Sequence, residues 1–423
     1  MLNSYQFQFI SSIQEIDRAC WQQLINTDYP FIQYDFLLAL EKSASVCTKT
    51  GWQPHHLIVK SDTQLIAAMP MYIKSHSYGE YVFDFQWANA YEQSGLSYYP
   101  KLLTAIPFTP SSGKRLYVCA TIDENEFYQH IFPLMHEKIM ALCQKQQLSS
   151  WHLLFCDKTE SNYWQLQGGL QRIGMQYHWF NQNYSSFDDF LDQCRAKNRK
   201  NIKRERKQLT QQSLQVEVLQ GAQVTLAHWQ AFYEFYQVTY LKRSGHNGYL
   251  TDEFFKLLSA SQSLQIVMII AKELPDNNES LRDRKMSEYH QAVFPDFKEQ
   301  LSDKNDNVNK QPQQIVAASL FFKDAECLYG RYWGCRKEYD FLHFELCYYQ
   351  GIEYCIEHGL KRFDAGAQGE HKIPRGFKPI ETYSNHWIQN SNFAGAIRQF
   401  TEEEALYVRQ AIGQLKQKLP FKV

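Results

Sequence analysis

"FDDFLDQCRAKNRKNIKRERKQL", residues 187–209, is the stretch at which the chain divides. Its apolar residues, Phe187, Phe190, Leu191, Cys194, Ile202 and Leu209, keep helical spacing. Eight cations fall between 195 and 207, namely Arg195, Lys197, Arg199, Lys200, Lys203, Arg204, Arg206 and Lys207, with only Glu205 against them. So charged a helix reads as a connection between two folded bodies. The order of signals on either side agrees.

Before it come two helices, "SSIQEIDRACWQQLI" and "DYPFIQYDFLLALEKS", then strands "HHLIVK" and "LIAAMPMYIK", a helix at "NEFYQHIFPLMHEKIMALCQKQ" and the strand "WHLLFC". After it come helices "LAHWQAFYEFYQVTYLKR" and "LTDEFFKLLSAS", strands "LQIVMIIAK", "QIVAASLFFKD" and "ECLYGRYWG", a helix ending at Gly359 and the strand "KRFDAG". Thr251 reads as the cap of the second of these helices. The repeat is one of order rather than of residues. It predicts an α/β (α+β) chain of two similar domains, 1–185 and 213–423, joined by the basic helix 186–212. Residues 275–313 are polar and aperiodic, and read as a flexible insertion in a hairpin connection.

Composition excludes several classes. Lys plus Arg total 44 and Asp plus Glu 45, so net charge points to neither nucleic acid nor membrane. The 10 cysteines include no CxxC pair, which leaves a metal site or redox motif without support and predicts free thiols. The N-terminus lacks the pattern of a secretory leader, and no run of 18 apolar residues occurs. The expectation is a cytoplasmic protein with no transmembrane segment.

Chemistry concentrates in "FDAGAQGEHKIPRGF", residues 363–377. Glycines let backbone approach a ligand closely, and a loop after a strand is a usual place for a site. Glu370 or His371 suits proton transfer, while Lys372 and Arg375 suit a phosphate or carboxylate. A surface turn with solvated charges is the competing reading. Gln368 and Asp364 join the candidate binding residues from the same loop. Arg331 and Trp333 add to them from the preceding strand, and His343, Glu345 and Tyr349 from the helix between. His343 and Glu345 are two apart and do not share a helix face; Glu345 and Tyr349, four apart, do.

In the first half, Asn89, Tyr99 and Lys101 fall in an aromatic-rich stretch that reads as a groove wall or as edge packing. The helix cations Lys197, Arg199, Lys200, Lys203 and Arg204 are candidates for nucleic acid or acidic headgroups, against a merely solvated helix.

"DAGAQGEHKIPRGF", "YSNHWI", "AKNRKNIKRER" and "YYPKLLTAIPFTP" together resemble the FemAB-like peptidoglycan biosynthesis/recognition proteins, a family of predicted N-acyltransferases. The resemblance covers almost the whole chain. It implies two tandem GNAT-like domains, each a mixed sheet flanked by helices. It also implies transfer of an acyl or aminoacyl group to an amine acceptor, such as a peptidoglycan precursor. Aminoacyl-tRNA or acyl-CoA would be the donor, and no cofactor is required. The basic helix would suit tRNA, and the missing glycine-rich pyrophosphate loop disfavours ordinary acetyl-CoA use. In that chemistry Glu370 or His371 would take the amine proton. Lys372, Arg375 or a backbone N–H would steady the carbonyl oxygen. Two other readings fit the same residues: a non-catalytic binder of cell-wall precursors, and an RNA-binding protein.

Overall fold

A computed structural model describes residues 5–274, 314–367 and 369–422. The strands in chain order are β1 (Tyr5–Ile10), β2 (Trp52–Pro54), β3 (His56–Ser61), β4 (Gln64–Met69), β5 (Tyr72–Lys74), β6 (Lys101–Thr104), β7 (Tyr117–Val118) and β8 (Ser150–Cys156). They continue as β9 (Leu170–Phe180), β10 (Leu214–Gln220), β11 (Gln265–Glu273), β12 (Ile315–Lys323), β13 (Cys327–Cys335), β14 (Arg362–Asp364) and β15 (Lys378–Ile388). One four-stranded sheet has the order β1-β3-β4-β7. The other has eleven strands, β10-β11-β12-β13-β14-β9-β15-β8-β6-β5-β2.

The large sheet is mixed and nearly symmetric about its middle. In the second half β13 runs parallel to β14, pairing Cys327–Tyr329 with Arg362–Asp364. In the first half β6 runs parallel to β8, pairing Leu102–Thr104 with Trp151–Leu153. Parallel neighbours need a crossover, and helices Gln350–Glu357 and Phe132–Lys145 lie in those connections. The last long strand of each half then crosses to the other. β9 pairs with β14, β15 pairs with β8, and β9 and β15 pair antiparallel from Lys378↔His178 to His386↔Leu170. The doubled order read from the sequence is therefore physical, but strands of both halves are knitted into the one eleven-stranded sheet. β8 lies inside that sheet and is buried at every position of "SWHLLFC", as a strand covered on both faces must be.

Helices cover both faces. Helix Leu226–Ser244 packs on β12 and β13, and helix Ser391–Lys416 on β9 and β15. The first-half aromatics Trp21, Phe31 and Phe36 share a core with second-half Phe254, Phe322 and Tyr329. Two expectations need correction. The first α-helix is Arg18–Ile25, capped by Asp17 through Ala19 and Cys20 N–H, while Ser12 caps a separate short turn. The basic connection is two helices, Phe187–Gln193 and Ala196–Thr210. Cys194 is extended between them, because it bridges to Phe421 and Arg195 N–H donates to Pro420 O. Thr251 caps helix Asp252–Ala260 as expected, accepting from Phe254 N–H. β11 and β12 are antiparallel neighbours; the 275–313 insertion that connects them lies outside the described residues, as does Gln368.

Candidate active site

β13 and β14 stay paired for only three residues, then part. β13 runs on to Cys335, while the chain beyond Asp364 turns away at Gly366, whose φ of +83° suits glycine. Just past the fork β13 carries a bulge. Leu320 faces Tyr332 and Phe321 faces Gly330, so Arg331 is the extra residue. A bulge bends the strand and re-aims a side chain.

The fork holds a cavity of about 500 Å³, within the usual size for small-molecule sites. Its floor is Gly330–Trp333 and Ala365–Ala367, with Lys372 beside them. Tyr236, Tyr240 and Arg243 of helix Leu226–Ser244 form one wall, and His343, Cys347 and Tyr348 another. The first half closes it with Ser77, Tyr78, Gly79, Tyr81, Phe83, Phe85, Phe108 and Pro110, so both halves contribute.

Beneath the floor lies a buried charge cluster. The Arg331 guanidinium grips Asp364 at 2.7 and 3.2 Å, with side chains 2% and 1% exposed. Asp364 also accepts Gly366 N–H at 3.0 Å and Ser111 O–H at 3.4 Å. His178 Nε2 lies 3.6 Å from it. Burial works to raise the Asp364 carboxyl, but Arg331 and His178 beside it hold it well below the usual carboxylate range. Burial pushes His178 down to about 4, so that imidazole is neutral at pH 7.

Lys372 is 1% exposed, and its Nζ donates to Ala365 O and Gly366 O, both at 2.8 Å. Burial brings its pKa down to about 8; nearby Asp364 supports the charge and Arg331 opposes it. An ammonium has three donors, so two carbonyls leave one N–H unclaimed. His343 is brought down to about 3 by burial and by the cations around it. Tyr348 O–H meets His371 Nε2 at 2.8 Å, which ties the cavity wall to the protein's exterior.

The family model described as peptidoglycan biosynthesis/recognition, FemAB-like, matches residues 12–280 and 277–423. The chain belongs to the FemAB-like family. A search of curated proteins found no match. Among solved structures it is similar to FemX, at 12% identity over 93% of this chain and 100% of that one, with a TM-score of 0.48. It is also similar to L-PGS from Bacillus licheniformis, at 10% identity over 86% and 94%, TM-score 0.45. A tandem GNAT protein from the clavulanic acid pathway shares 9% identity over 91% and 98%, TM-score 0.42. These likenesses carry no argument about activity.

In this FemAB-like chain the structure gathers Lys372, Arg331, Trp333 and His343 at the cavity, with Asp364 directly below. It does not gather the rest. Residues 370–375 form a tight helical turn that buries Lys372, Ile373 and Arg375 and leaves Glu370 and His371 exposed. Glu370 does not line the cavity, so its expected part as base has no geometric support; His371 reaches the cavity only through Tyr348. Arg375 is buried on the far side. It stacks on Phe344 at 3.5 Å, pairs with Glu205 at 2.8 Å and meets Tyr349 Oη at 2.9 Å. A guanidinium so engaged is structural, which corrects its reading as a substrate ligand.

Glu345 and Tyr349 do share a face, but that face looks at the basic helix. Glu345 pairs with Arg206 at 2.8 Å, and Tyr349 O–H donates to Glu205. Neither lines the cavity. Lys101 is fully buried against Asp84, Glu80 and Ser77, at 2.5 to 2.8 Å. Tyr99 meets the same Ser77 at 2.8 Å, and Asn89 is exposed on helix Phe85–Gln93. Of that group only Ser77 lines the cavity; Asn89, Tyr99 and Lys101, read as one wall of a groove, do not.

On helix Ala196–Thr210, Lys203 lies 2.9 Å from Asp188 and Arg199 3.8 Å from Asp192. Lys197, Lys200, Arg204 and Lys207 are exposed and, among the described residues, carry no ion pair. Their spacing of three, four and three places them in one outward stripe.

Sequence reading missed Tyr236, Tyr240 and Arg243. Their spacing of four and three puts them on one helix face. The signal was present, but an aromatic stripe more often marks a core than a cavity wall. Among the described residues, no group of His, Cys, Asp and Glu is arranged to hold a metal ion, and no helix is long and apolar enough to cross a membrane.

Proposed function

We propose that this protein is an N-acyltransferase that moves an acyl or aminoacyl group from an activated ester or thioester to an amine, with chemistry at the β13/β14 fork. The observation that carries this reading is Lys372 Nζ, held by two carbonyls at 2.8 Å beside the free edge of a bulged strand. Past the fork, β13 has lost its parallel neighbour. Its backbone edge is then free to hold an extended donor, as strand edges do.

The amine attacks the donor carbonyl, and the carbon–nitrogen bond forms as the carbon–oxygen or carbon–sulfur bond breaks. The carbonyl oxygen becomes anionic on the way, and Lys372 is placed to stabilise it. Cations beside a bound amine lower its pKa and favour the neutral nucleophile. The proton it loses balances the one that the leaving oxygen or sulfur must gain. Tyr348 is the wall group suited to deliver that proton, with exposed His371 connecting its hydroxyl to solvent. Holding two large substrates in line supplies much of the acceleration.

The family description favours a peptidoglycan precursor as acceptor. The outward stripe of Lys197, Lys200, Arg204 and Lys207 supports a polyphosphate-bearing donor, aminoacyl-tRNA or acyl-CoA. The test is incubation with acyl-CoA, charged tRNA and cell-wall precursors, followed by mass spectrometry. An acylated amine is expected, reduced in Lys372→Met. No product from any pairing overturns the reading.

A further inference from the structure

The charge around the cavity is lopsided. Lys372, Arg331 and Arg243 line it, and no Asp or Glu does so among the described residues. Asp364 lies below and is taken by Arg331. Arg243 is exposed at the rim, and among the described residues no carboxylate pairs with it. Donor capacity is also unfilled. Arg331 Nε is buried with no hydrogen-bond partner, though its two terminal nitrogens are engaged. Lys372 keeps one N–H beyond its two carbonyls. A buried donor without an acceptor is costly, and cations are rarely concentrated around a cavity without an anion to receive them.

We propose that the ligand of this cavity is anchored by an anionic group, a carboxylate or a phosphate, held by Arg243 in the field of Lys372 and of Arg331 beneath. The inference rests on the cavity being the substrate site and adds the charge of what it takes. An amine held beside that anion would have its nitrogen kept unprotonated by the same cations. A ligand recognised by its ammonium through the aromatic wall is the opposite outcome.

The test is calorimetric titration of the full chain at low ionic strength with four small probes: succinate, inorganic pyrophosphate, uncharged succinamide and cationic putrescine. Saturable binding of succinate or pyrophosphate is expected, with neither succinamide nor putrescine bound at the same concentrations. Succinate alone identifies a carboxylate ligand, and pyrophosphate alone a phosphate. Arg243→Gln should weaken the bound anion about tenfold, the usual worth of one charge-assisted hydrogen bond, and Lys372→Met should weaken it by removing a neighbouring positive charge. Lys378→Gln, outside the cavity, should change nothing. Arg243 is exposed, so Arg243→Gln keeps the test alive should Lys372→Met fail to fold. Binding of succinamide or putrescine as tightly as the anions, no saturable binding of either anion, or an unaffected Arg243→Gln overturns the proposal. Because binding is read without turnover, a chain that binds the anion but transfers nothing would overturn the transfer reading and leave this one standing.

Discussion

Replacing Asp364 by Asn tests the architecture of the fork. Asp364 and Arg331 are 1% and 2% exposed and joined at 2.7 Å, and no other described carboxylate lies against this guanidinium. The amide keeps the shape and removes the charge. Removing one partner of a buried pair costs about 3–5 kcal/mol, because the remaining ion stays desolvated and unpaired. Asn can still accept from Gly366 N–H, so the lower half of that range, about 3 kcal/mol, is expected. Replacing both residues, as Arg331→Met with Asp364→Leu, removes the stranded charge and should recover most of the loss.

The pH dependence has a definite sign. The folded carboxyl titrates below its unfolded value of about 3.9. Its stabilisation is therefore complete above about pH 4 and is lost as pH falls from there toward the folded value. Asp364→Asn should remove that portion of the acid sensitivity. Denaturant titration at pH 7 and at pH 3, followed by tryptophan fluorescence, reads all three chains. A loss under about 1 kcal/mol at pH 7, or a double variant no more stable than Asp364→Asn, would refute a buried, mutually dependent pair.

Lys372→Met should lower transfer about a hundredfold, the usual worth of one oxyanion donor, with circular dichroism unchanged. If its ammonium is the acting form, wild-type activity should fall as pH rises through about 8, and the variant should lack that limb. Glu370→Gln should leave turnover within about twofold, since the carboxylate lies outside the cavity; a large loss would return it to the mechanism. Gly334→Ala should destabilise by about 1–3 kcal/mol or more, because the added Cβ would meet Phe235 O at 2.3 Å where helix Leu226–Ser244 rests on β13; an unchanged melting curve would count against that contact. Lys200→Glu with Arg204→Glu should weaken retention of tRNA or polyphosphate and flatten its salt dependence by about two ions.

Much of this was legible in the residues. Apolar alternation located most of the core strands, and the doubled order of elements predicted two similar halves. Gly366 and Gly376, with φ of +83° and +94°, mark where the chain must bend around the loop that carries Lys372. What could not be read is pairing between residues far apart. Nothing local in "LQRIGMQYHWF" or "KPIETYSNHWI" says that each will cross to the other half's parallel strand, because periodicity fixes which side chains face inward and leaves the neighbouring strand open. The same limit misplaced Arg375. Its charge was visible, but the partner that claims it, Glu205, is 170 residues away.

That limit also explains why two similar halves yield one candidate site. The β6/β8 fork is the counterpart of β13/β14, yet it is filled. Beyond Thr104 the segment to Leu116 folds back, Arg115 donates to Leu154 O at 3.0 Å and Gly113 N–H to Phe155 O at 3.1 Å. Arg115 is wholly buried, capping carbonyls where the second half leaves a hollow. The filling segment is not idle: Phe108 and Pro110 wall the other fork, and Ser111 reaches Asp364. Backbone groups released by a fork must find partners. In the first half protein supplies them, and in the second β13 has no parallel partner past Tyr329 among the described residues. Shortening 105–116 would therefore damage the second-half cavity before it opened the first, so the two forks are coupled by the loop that distinguishes them.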